Sequence, residues 1–275
     1  MRQTILITGA SSGIGRATAR HFQARGWNVV ASMRNPDAAG DLSTLDHVLV
    51  VRLDVLDEGS IDAARDAALA RFGGVDVLLN NAGYGAYGPL EAFSMDRIRR
   101  QFDTNVIGLL GVTKAFLPHL RERRSGTVVN ISSIGGQMTF PLGTLYHGTK
   151  FAVEGLSEAL HYEREAFGVR VRIVEPGMIA TDFGGRSFEF CNDASLVEYQ
   201  GTVGKLFAHW SRVASSPSPP GLVAEVIWTV VHDETDRLRF RAGGDAEALL
   251  SARAEQDDAA FIGGIKREIG LGEEG

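Results

Sequence analysis

Short apolar runs alternate along the chain with longer segments in which apolar residues recur at helical spacing. Apolar runs of strand length lie at residues 4–8, 28–32, 48–53, 75–80, 126–132, 169–175 and 238–241. Helical spacing fills the intervals at residues 13–25, 58–71, 95–123, 146–167 and 220–232. Most strand-like runs lack polar alternation, which is typical of parallel strands buried on both faces. The pattern predicts an α/β domain with a doubly wound parallel sheet and helices on both faces.

Two regions interrupt this alternation. Residues 181–219 form a long excursion that is rich in aromatic residues and ends in a Ser/Pro-rich stretch. Because long excursions in compact domains are typically lids or binding loops, we predict a substrate lid at residues 182–219, with a packed helical bulge as the alternative. The tail after Gly243 contains a helical stretch at residues 245–253, and its last few residues are predicted to be disordered. We interpret residues 1–275 as one domain.

A glycine-rich turn follows the first apolar run and precedes the first helix. From Thr8 to Gly15 its spacing is G-x-x-x-G-x-G. In a strand–turn–helix context such a turn presents backbone N–H groups at a helix N-terminus, where the helix dipole favours an anion. We interpret it as the binding site for a dinucleotide pyrophosphate, with a tight structural turn as the alternative. The residues concerned are Gly9, Ser11, Ser12, Gly13, Ile14 and Gly15.

Two further glycine motifs are less convincing. Residues 83–88 match G-x-G-x-x-G, but Pro89 follows at once and no second strand ends where a ribose-binding residue is needed, so a flexible loop is predicted. Residues 9–13 match the G-x-S-x-G motif of hydrolases, with Ser11 as the nucleophile. That motif needs earlier strands to build its oxyanion hole, and the first apolar run is the only one that precedes it, which disfavours a hydrolase.

Polar residues follow several of the predicted strands. Ligands of open α/β sheets bind outside the carboxyl ends of the strands, so these residues are candidates for chemistry. The candidates are Asp54, Asn81, Ser133 and Thr181. Tyr146 and Lys150 lie four residues apart, one turn along the same helix face. A nearby ammonium favours the phenolate form of a tyrosine, which can then exchange a proton with an alcohol or carbonyl oxygen. Taken alone, this spacing is more often a surface pair.

Several motifs follow one another along the chain: the glycine turn from Thr8 to Gly15, Asn80-Asn81-Ala82-Gly83, Asn105, Ser133, Tyr146 with Lys150, and Pro176-Gly177 through Thr181. In this order they resemble the motifs of the short-chain dehydrogenase/reductase family. The resemblance runs from residue 4 to residue 181 and implies a Rossmann-like fold with a catalytic tetrad of Asn105, Ser133, Tyr146 and Lys150. It implies that Tyr146 is the general acid/base and that Ser133 binds the substrate oxygen. It also implies that Lys150 lowers the pKa of the tyrosine and binds the nicotinamide ribose. Asn105 would hold a water that links Lys150 to bulk solvent.

The resemblance also implies a cofactor-binding set. Beyond the glycine turn, this set comprises Arg34, Asp54, Val55, Asn81, Ala82, Gly83, Tyr146, Lys150, Pro176, Gly177, Ile179 and Thr181. Asp54 and Val55 would contact the adenine, and Thr181 the nicotinamide carboxamide. A homodimer or homotetramer is expected, with the helices at residues 95–123 and 146–167 as the interface. Candidate interface contacts are Ala115, Phe116, Leu156 and Leu160.

The residues that follow the second strand determine the expected choice of cofactor. An acidic residue there would bind the ribose 2′-hydroxyl of NAD(H), whereas an arginine accommodates the 2′-phosphate of NADP(H). Here Met33 occupies the acidic position and Arg34 follows directly, with no carboxylate before Asp37. The planar guanidinium of an arginine suits a phosphate, so NADP(H) is predicted to be preferred over NAD(H). A solvated loop arginine is the alternative interpretation of Arg34.

Composition and charge narrow the class of protein. The net charge of −6 argues against a nucleic-acid partner, and the single cysteine, Cys191, excludes an internal disulfide. The seven histidines show no metal-ligand spacing, so no metal site is expected. No apolar run has the length of a membrane span, and no signal peptide is apparent, so a cytoplasmic location is expected.

These features lead to one functional hypothesis and one rival. The chain is predicted to be an NADP(H)-dependent oxidoreductase that interconverts a carbonyl and a secondary alcohol. Aromatic residues in the lid and the loop at residues 137–142 favour a lipophilic substrate. The rival is a non-catalytic NADP(H)-binding sensor or scaffold, although a pure binder has no need of Tyr146 and Lys150 together. His147, about 100° away from Tyr146 around the helix, is given no role in this hypothesis.

Overall fold

A seven-stranded parallel sheet organises the molecule, and its strands lie side by side in the order Val48–Arg52, Asn28–Met33, Thr4–Ile7, Val77–Asn80, Thr127–Ile131, Arg170–Pro176 and Arg239–Ala242. The computed structural model describes residues 2–163, 166–181, 187–213 and 217–272. The sheet strands are β1 (Thr4–Ile7), β2 (Asn28–Met33), β3 (Val48–Arg52), β4 (Val77–Asn80), β6 (Thr127–Ile131), β7 (Arg170–Pro176) and β9 (Arg239–Ala242). The predicted doubly wound parallel sheet is therefore confirmed.

Helices cover both faces of the sheet. They are α1 (Gly13–Ala24), α2 (Glu58–Phe72), α3 (Met95–Phe102), α4 (Gly108–Arg123), α5 (Thr144–Glu163), α6 (Val197–Val213), α7 (Pro220–His232), α8 (Gly244–Glu255) and α9 (Asp258–Ile269). On one face, Phe22 of α1 and Ile227 of α7 are fully buried against the strands. On the other face, Ile61 of α2 and Phe116 of α4 pack on the sheet. Apolar strands thus lie between two helical layers, as their unbroken apolar pattern predicts.

One predicted helix, at residues 95–123, is interrupted. It consists of α3 and α4, joined by a π-helical segment at Asp103–Ile107. Such π-turns are rare and frequently occur at functional sites. The segment contains Asn105, one of the residues that the family resemblance implicates.

The segment at residues 83–88 is not the flexible loop that its glycines and Pro89 suggested. Gly85–Tyr87 forms strand β5, which pairs in parallel with β8 (Phe188–Phe190). Gly88 makes this approach possible because its φ is 144° and a Cβ there would lie 1.9 Å from the carbonyl oxygen of Cys191. Gly88 therefore serves close packing between two backbones rather than flexibility.

The predicted lid region contains β8 and α6. Leu206 of α6 is fully buried in a cluster with Met138, with Leu250 of α8 and with Phe261 of α9. Residues 182–186 and 214–216 of the predicted lid lie outside the described part of the chain. The tail forms α8 and α9. Residues 273–275, for which disorder is predicted, also lie outside the described part of the chain.

The predicted interface residues do not all face outwards. Phe116 is fully buried against the sheet of its own chain, so it is unavailable to a partner, and Ala115 packs against the same cluster. The exposed apolar side chains of these helices include those of Ile107, Leu110 and Phe151. In the described residues, no helix combines the length and the hydropathy that crossing a membrane requires.

Candidate active site

Ser133, Tyr146 and Lys150 are brought together at the carboxyl edge of the sheet. Ser133 follows β6 and caps a short 3-10 turn, where its Oγ accepts a hydrogen bond from Gly135 N at 3.0 Å. Tyr146 and Lys150 occupy the first two turns of α5. The side chains of Ser133 and Tyr146 are hydrogen-bonded to each other. The Lys150 Nζ donates to the carbonyl oxygen of Ile131 at 2.8 Å and lies 5.8 Å from the centroid of the Tyr146 ring.

Burial dominates the protonation of this group. It raises the pKa of Tyr146 to about 12, against the opposing effect of the Ser133 hydrogen bond. It lowers the pKa of Lys150 to about 8, against the opposing charge of Glu154. The pKa of Tyr146 therefore moves upwards, opposite to the lowering that the sequence suggested, because desolvation of the phenolate outweighs the stabilising contacts. At neutral pH Tyr146 carries its proton and can act as a donor.

Asn105, in the π-helical segment, is 3% exposed and its amide is held by protein groups. The Nδ2 donates to the carbonyl oxygen of Tyr84 at 2.9 Å and to Thr149 Oγ1 at 3.1 Å. The Oδ1 accepts from Tyr84 N at 3.1 Å. The side chain thus fixes the segment after β4 against α5, which carries Tyr146. Its relay role, which the family resemblance implies, stays a prediction.

His147 organises the loop above the site, although the sequence indicated no role for it. Its Nε2 accepts from Phe140 N at 2.9 Å, so the ring proton lies on Nδ1, which is 3.0 Å from the carbonyl oxygen of Gly135. Burial lowers the pKa of His147 to about 4, which keeps the ring neutral. The hydroxyl of Tyr87 is 3.4 Å from the same Nε2. The only sequence signal for this role is the position of His147 directly after Tyr146.

An aromatic wall lines the space beside Tyr146. The ring of Tyr87 lies 5.6 Å from that of Tyr146 and 5.4 Å from that of Trp210. Phe188 of β8 lies 5.6 Å from Tyr87 and 5.7 Å from Trp210. Phe207 of α6 lies 5.5 Å from Trp210. Aromatic residues from the predicted lid therefore contact Tyr87, whose ring lies against the proposed proton donor.

The glycine turn has the features of an anion-binding site. Ser12, at the N-cap of α1, makes no side-chain capping bond, so the first N–H groups of the helix are not capped by it. Gly13 has a φ of 53°, and a Cβ at Gly15 would lie 2.4 Å from the carbonyl oxygen of Gly9. Asn81 Nδ2 donates to the carbonyl oxygens of Thr8 at 2.9 Å and Gly9 at 3.2 Å, which holds the turn.

Several predicted cofactor residues gather around this turn. A Cβ at Gly13 would lie 3.3 Å from the side chain of Thr181, so the first turn and the segment after β7 meet. Both residues line an open cleft of about 700 Å³, together with Arg16, Ala17, Arg20, Ala180, Pro220 and Gly221. Ala82 N donates to Thr8 Oγ1 at 3.0 Å.

Val55 contacts the start of α4, where a Cβ at Gly108 would lie 2.7 Å from its side chain.

Other predicted cofactor residues have mixed environments. Asp54 accepts from Leu56 N at 3.1 Å and follows the carboxyl end of β3. Gly83 lies against Asn105, whose Oδ1 would be 3.0 Å from a Cβ there. Arg34 is exposed directly after β2, while Met33 is 2% exposed. A Cβ on Gly177 would lie 2.2 Å from the Asp245 side chain, and the backbone of Ile179 pairs with that of Ser218.

In the ranges that the structure describes, no three histidine, cysteine or acidic side chains cluster as metal ligands. Cys191 is buried, with its Sγ 2.8 Å from an Arg97 nitrogen and 3.0 Å from the carbonyl oxygen of Ala92.

The fold and this site define an oxidoreductase of the short-chain class, and comparison with known proteins agrees. The short chain dehydrogenase family profile matches residues 3–192, and the chain belongs to that family. An uncharacterized oxidoreductase of Schizosaccharomyces pombe is 43% identical over 87% of this chain and 100% of its own length. Retinol dehydrogenase 8 of Bos taurus is 33% identical over 92% of this chain and 85% of its own length.

Solved structures show the same architecture. A short-chain dehydrogenase from Streptomyces avermitilis has a TM-score of 0.81 and 38% identity, covering 96% of this chain and 97% of that protein. ElxO with NADP bound has a TM-score of 0.75 and 26% identity over 90% of this chain and 100% of its own. A Burkholderia phymatum dehydrogenase in complex with NAD has a TM-score of 0.78 and 25% identity, covering 95% of each chain.

Proposed function

We propose that this protein is an NADP(H)-dependent oxidoreductase that interconverts a carbonyl and a secondary alcohol on a lipophilic substrate. The observation that carries the proposal is the hydrogen-bonded pair of Ser133 and Tyr146, with Lys150 one helical turn away. A purely nucleotide-binding scaffold has no need of a buried tyrosine that shares a hydrogen bond with a serine. A nicotinamide cofactor, when bound, supplies or accepts the hydride.

The residues of the chain handle the proton. In carbonyl reduction, Tyr146 donates its proton to the substrate oxygen, which becomes the alcohol hydroxyl. The Ser133 hydroxyl donates a hydrogen bond to the same oxygen as negative charge develops on it. The ammonium of Lys150 stabilises the phenolate that remains on Tyr146. A tyrosine with a pKa of about 12 carries its proton at neutral pH and can therefore donate it to a carbonyl oxygen.

The glycine turn fits the pyrophosphate of a dinucleotide. A Cβ at Gly15 would collide with the backbone of Gly9, and the N-terminus of α1 lacks a side-chain cap from Ser12. These features leave N–H donors for phosphate oxygens. Relatives of this fold are known with NADP and with NAD, so the preference rests on this chain's own residues. Arg34 is exposed, and the preceding position is occupied by Met33 and not by an acidic residue. Both features support a preference for NADP(H).

A lipophilic substrate is supported by the aromatic wall of Tyr87, Phe188 and Trp210 beside Tyr146. Apolar surface of this kind gains free energy when it covers an apolar ligand. The similarity to retinol dehydrogenase 8 points in the same direction. We also propose a homodimer or homotetramer, in which the exposed side chains of Ile107, Leu110 and Phe151 would be covered, and sedimentation tests this.

The test is NADPH consumption with a panel of lipophilic ketones and aldehydes. The wild-type protein should turn over members of the panel, and Tyr146→Phe should lose about 10²–10⁴-fold while binding NADPH with nearly unchanged affinity. Tyr162→Phe is the matched control, since Tyr162 lies on the same helix but is 71% exposed. Retained activity in Tyr146→Phe would remove the tyrosine from the mechanism, and NADPH binding without any turnover would support the scaffold.

A further inference from the structure

A buried carboxylate lies one helical turn beyond Lys150. Glu154 of α5 is 6% exposed, and its Oε2 accepts from Arg239 Nε at 2.9 Å. Its other oxygen, Oε1, is buried and has no hydrogen-bond partner among the described residues. A carboxylate with one oxygen paired and one free is costly to bury unless a further group interacts with its charge.

The free oxygen faces the segment that carries Ser133. A Cβ at Gly136 would lie 3.1 Å from Glu154 Oε1 and 2.5 Å from Ser132 Oγ. Ser132 Oγ is also buried without a partner in the described ranges. The carboxylate therefore lies between the two structural elements of the proposed site, the segment after β6 and helix α5.

Other charged groups surround Glu154, and they differ from it in exposure, in protonation or in distance from Lys150. They are Lys150 and Glu158 on α5, Glu175 on β7 and Arg239 on β9, while Arg241 on β9 acts on Glu175. Glu158 pairs with Arg239 at 2.5 Å, but its side chain is 44% exposed and stands two turns from Lys150. Burial, together with the charge of Glu154, raises the pKa of Glu175 to about 7, so that group holds a proton over part of the neutral range.

We propose that Glu154 is a positioning residue for the reaction, whose buried carboxylate, one helical turn from Lys150 on α5, keeps Lys150 charged beside Tyr146. This inference rests on the proposed function of Lys150. An amine whose ammonium points into the protein tends to lose its proton, and an adjacent carboxylate opposes that loss. Burial does lower the pKa of Lys150 to about 8, and Glu154 is the charge that opposes the decrease. Without the Glu154 carboxylate, Lys150 would become neutral near neutral pH and would no longer stabilise the Tyr146 phenolate.

The chain offers a direct measurement, because its four lysines are Lys114, Lys150, Lys205 and Lys266. Replacing the other three by arginine leaves Lys150 as the only lysine, so ¹³Cε-lysine NMR follows its titration without interference. In this background, Glu154→Gln should lower the midpoint by about one pH unit. Glu158→Gln is the matched control, since it removes a charge from the same helix and the same Arg239, and it should leave the midpoint unchanged. Glu154→Asp keeps the charge and should stay near the parent.

Turnover provides the second readout. In Glu154→Gln, the alkaline limb of the kcat/KM profile for carbonyl reduction should move to lower pH, and in Glu158→Gln it should not. An unchanged Lys150 midpoint in folded Glu154→Gln, or equal changes in both variants, would overturn the inference. If the wild type is active and Glu154→Gln leaves the Lys150 midpoint unchanged, this inference alone is overturned. If the protein binds NADPH but turns over no substrate, the proposed function alone is overturned, because the titration needs no turnover.

Discussion

Glu175 provides a stability prediction that depends only on the fold. Its carboxyl is 1% exposed in β7, near the charge of Glu154 and 3.8 Å from Arg239. Gln137 donates a hydrogen bond to it. Burial is the largest cause that raises its pKa, from 4.5 to about 7, and the charge of Glu154 adds to it.

Proton linkage gives the direction in which the free energy of unfolding changes with pH. Between pH 4.5 and about 7 the folded protein retains a proton that the unfolded chain has released. The free energy of unfolding therefore decreases as pH rises through this window, and the loss is complete above pH 7. Each pH unit of difference corresponds to about 1.4 kcal/mol, so the full loss is at most about 3 kcal/mol. Glu175→Gln has no charge to bury and keeps an oxygen that can accept from Gln137.

The assay is urea unfolding of both proteins at pH 5 and pH 8. Glu175→Gln should exceed the wild type in stability by up to about 3 kcal/mol at pH 8 and by much less at pH 5. Glu198→Gln, which removes an exposed acid, controls for the change in net charge and should give a small difference at both values. A difference between Glu175→Gln and wild type that does not depend on pH would refute the reasoning, and so would a less stable variant at pH 8.

Two further predictions concern cofactor choice and the β5–β8 pairing. Arg34→Ala should weaken kcat/KM for NADPH about 10–100-fold and leave NADH nearly unchanged, because only NADPH carries the 2′-phosphate; equal losses for both cofactors in paired kinetics would make Arg34 an ordinary loop residue. Gly88→Ala should destabilise the protein by about 1–3 kcal/mol in thermal unfolding, because a Cβ would lie 1.9 Å from the carbonyl oxygen of Cys191. Gly201→Ala should not, because a Cβ there would meet no atom of the described residues within 4 Å beyond its own helix backbone and chain neighbours.

The sheet could be predicted from the sequence because its strands are continuous apolar runs separated by amphipathic helices. The candidate site could be predicted because polar residues at the carboxyl ends of parallel strands meet at one edge. Ser133 and Tyr146 are 13 positions apart in the chain, and their contact follows from this topology together with the family resemblance.

The pairing of β5 with β8 could not be predicted, because it joins segments about one hundred residues apart and each strand has three residues. The role of His147 also depends on tertiary structure, since its two nitrogens bind backbone groups of a loop that folds back over α5. The direction of the pKa change at Tyr146 depends on how deeply the ring is buried, which residue spacing does not reveal. The Glu154–Arg239 pair is likewise formed between elements distant in sequence.

Isotope transfer shows directly whether this chain delivers a hydride to a carbonyl while Tyr146 supplies the proton. NADPH deuterated at the hydride position of the nicotinamide is incubated with lipophilic ketones, and the alcohol products are analysed by mass spectrometry. We predict that one deuterium appears on the carbinol carbon with wild-type protein and with Tyr162→Phe, and that Tyr146→Phe forms almost no labelled alcohol. Unlabelled alcohol, or equal labelling by Tyr146→Phe, would contradict the account.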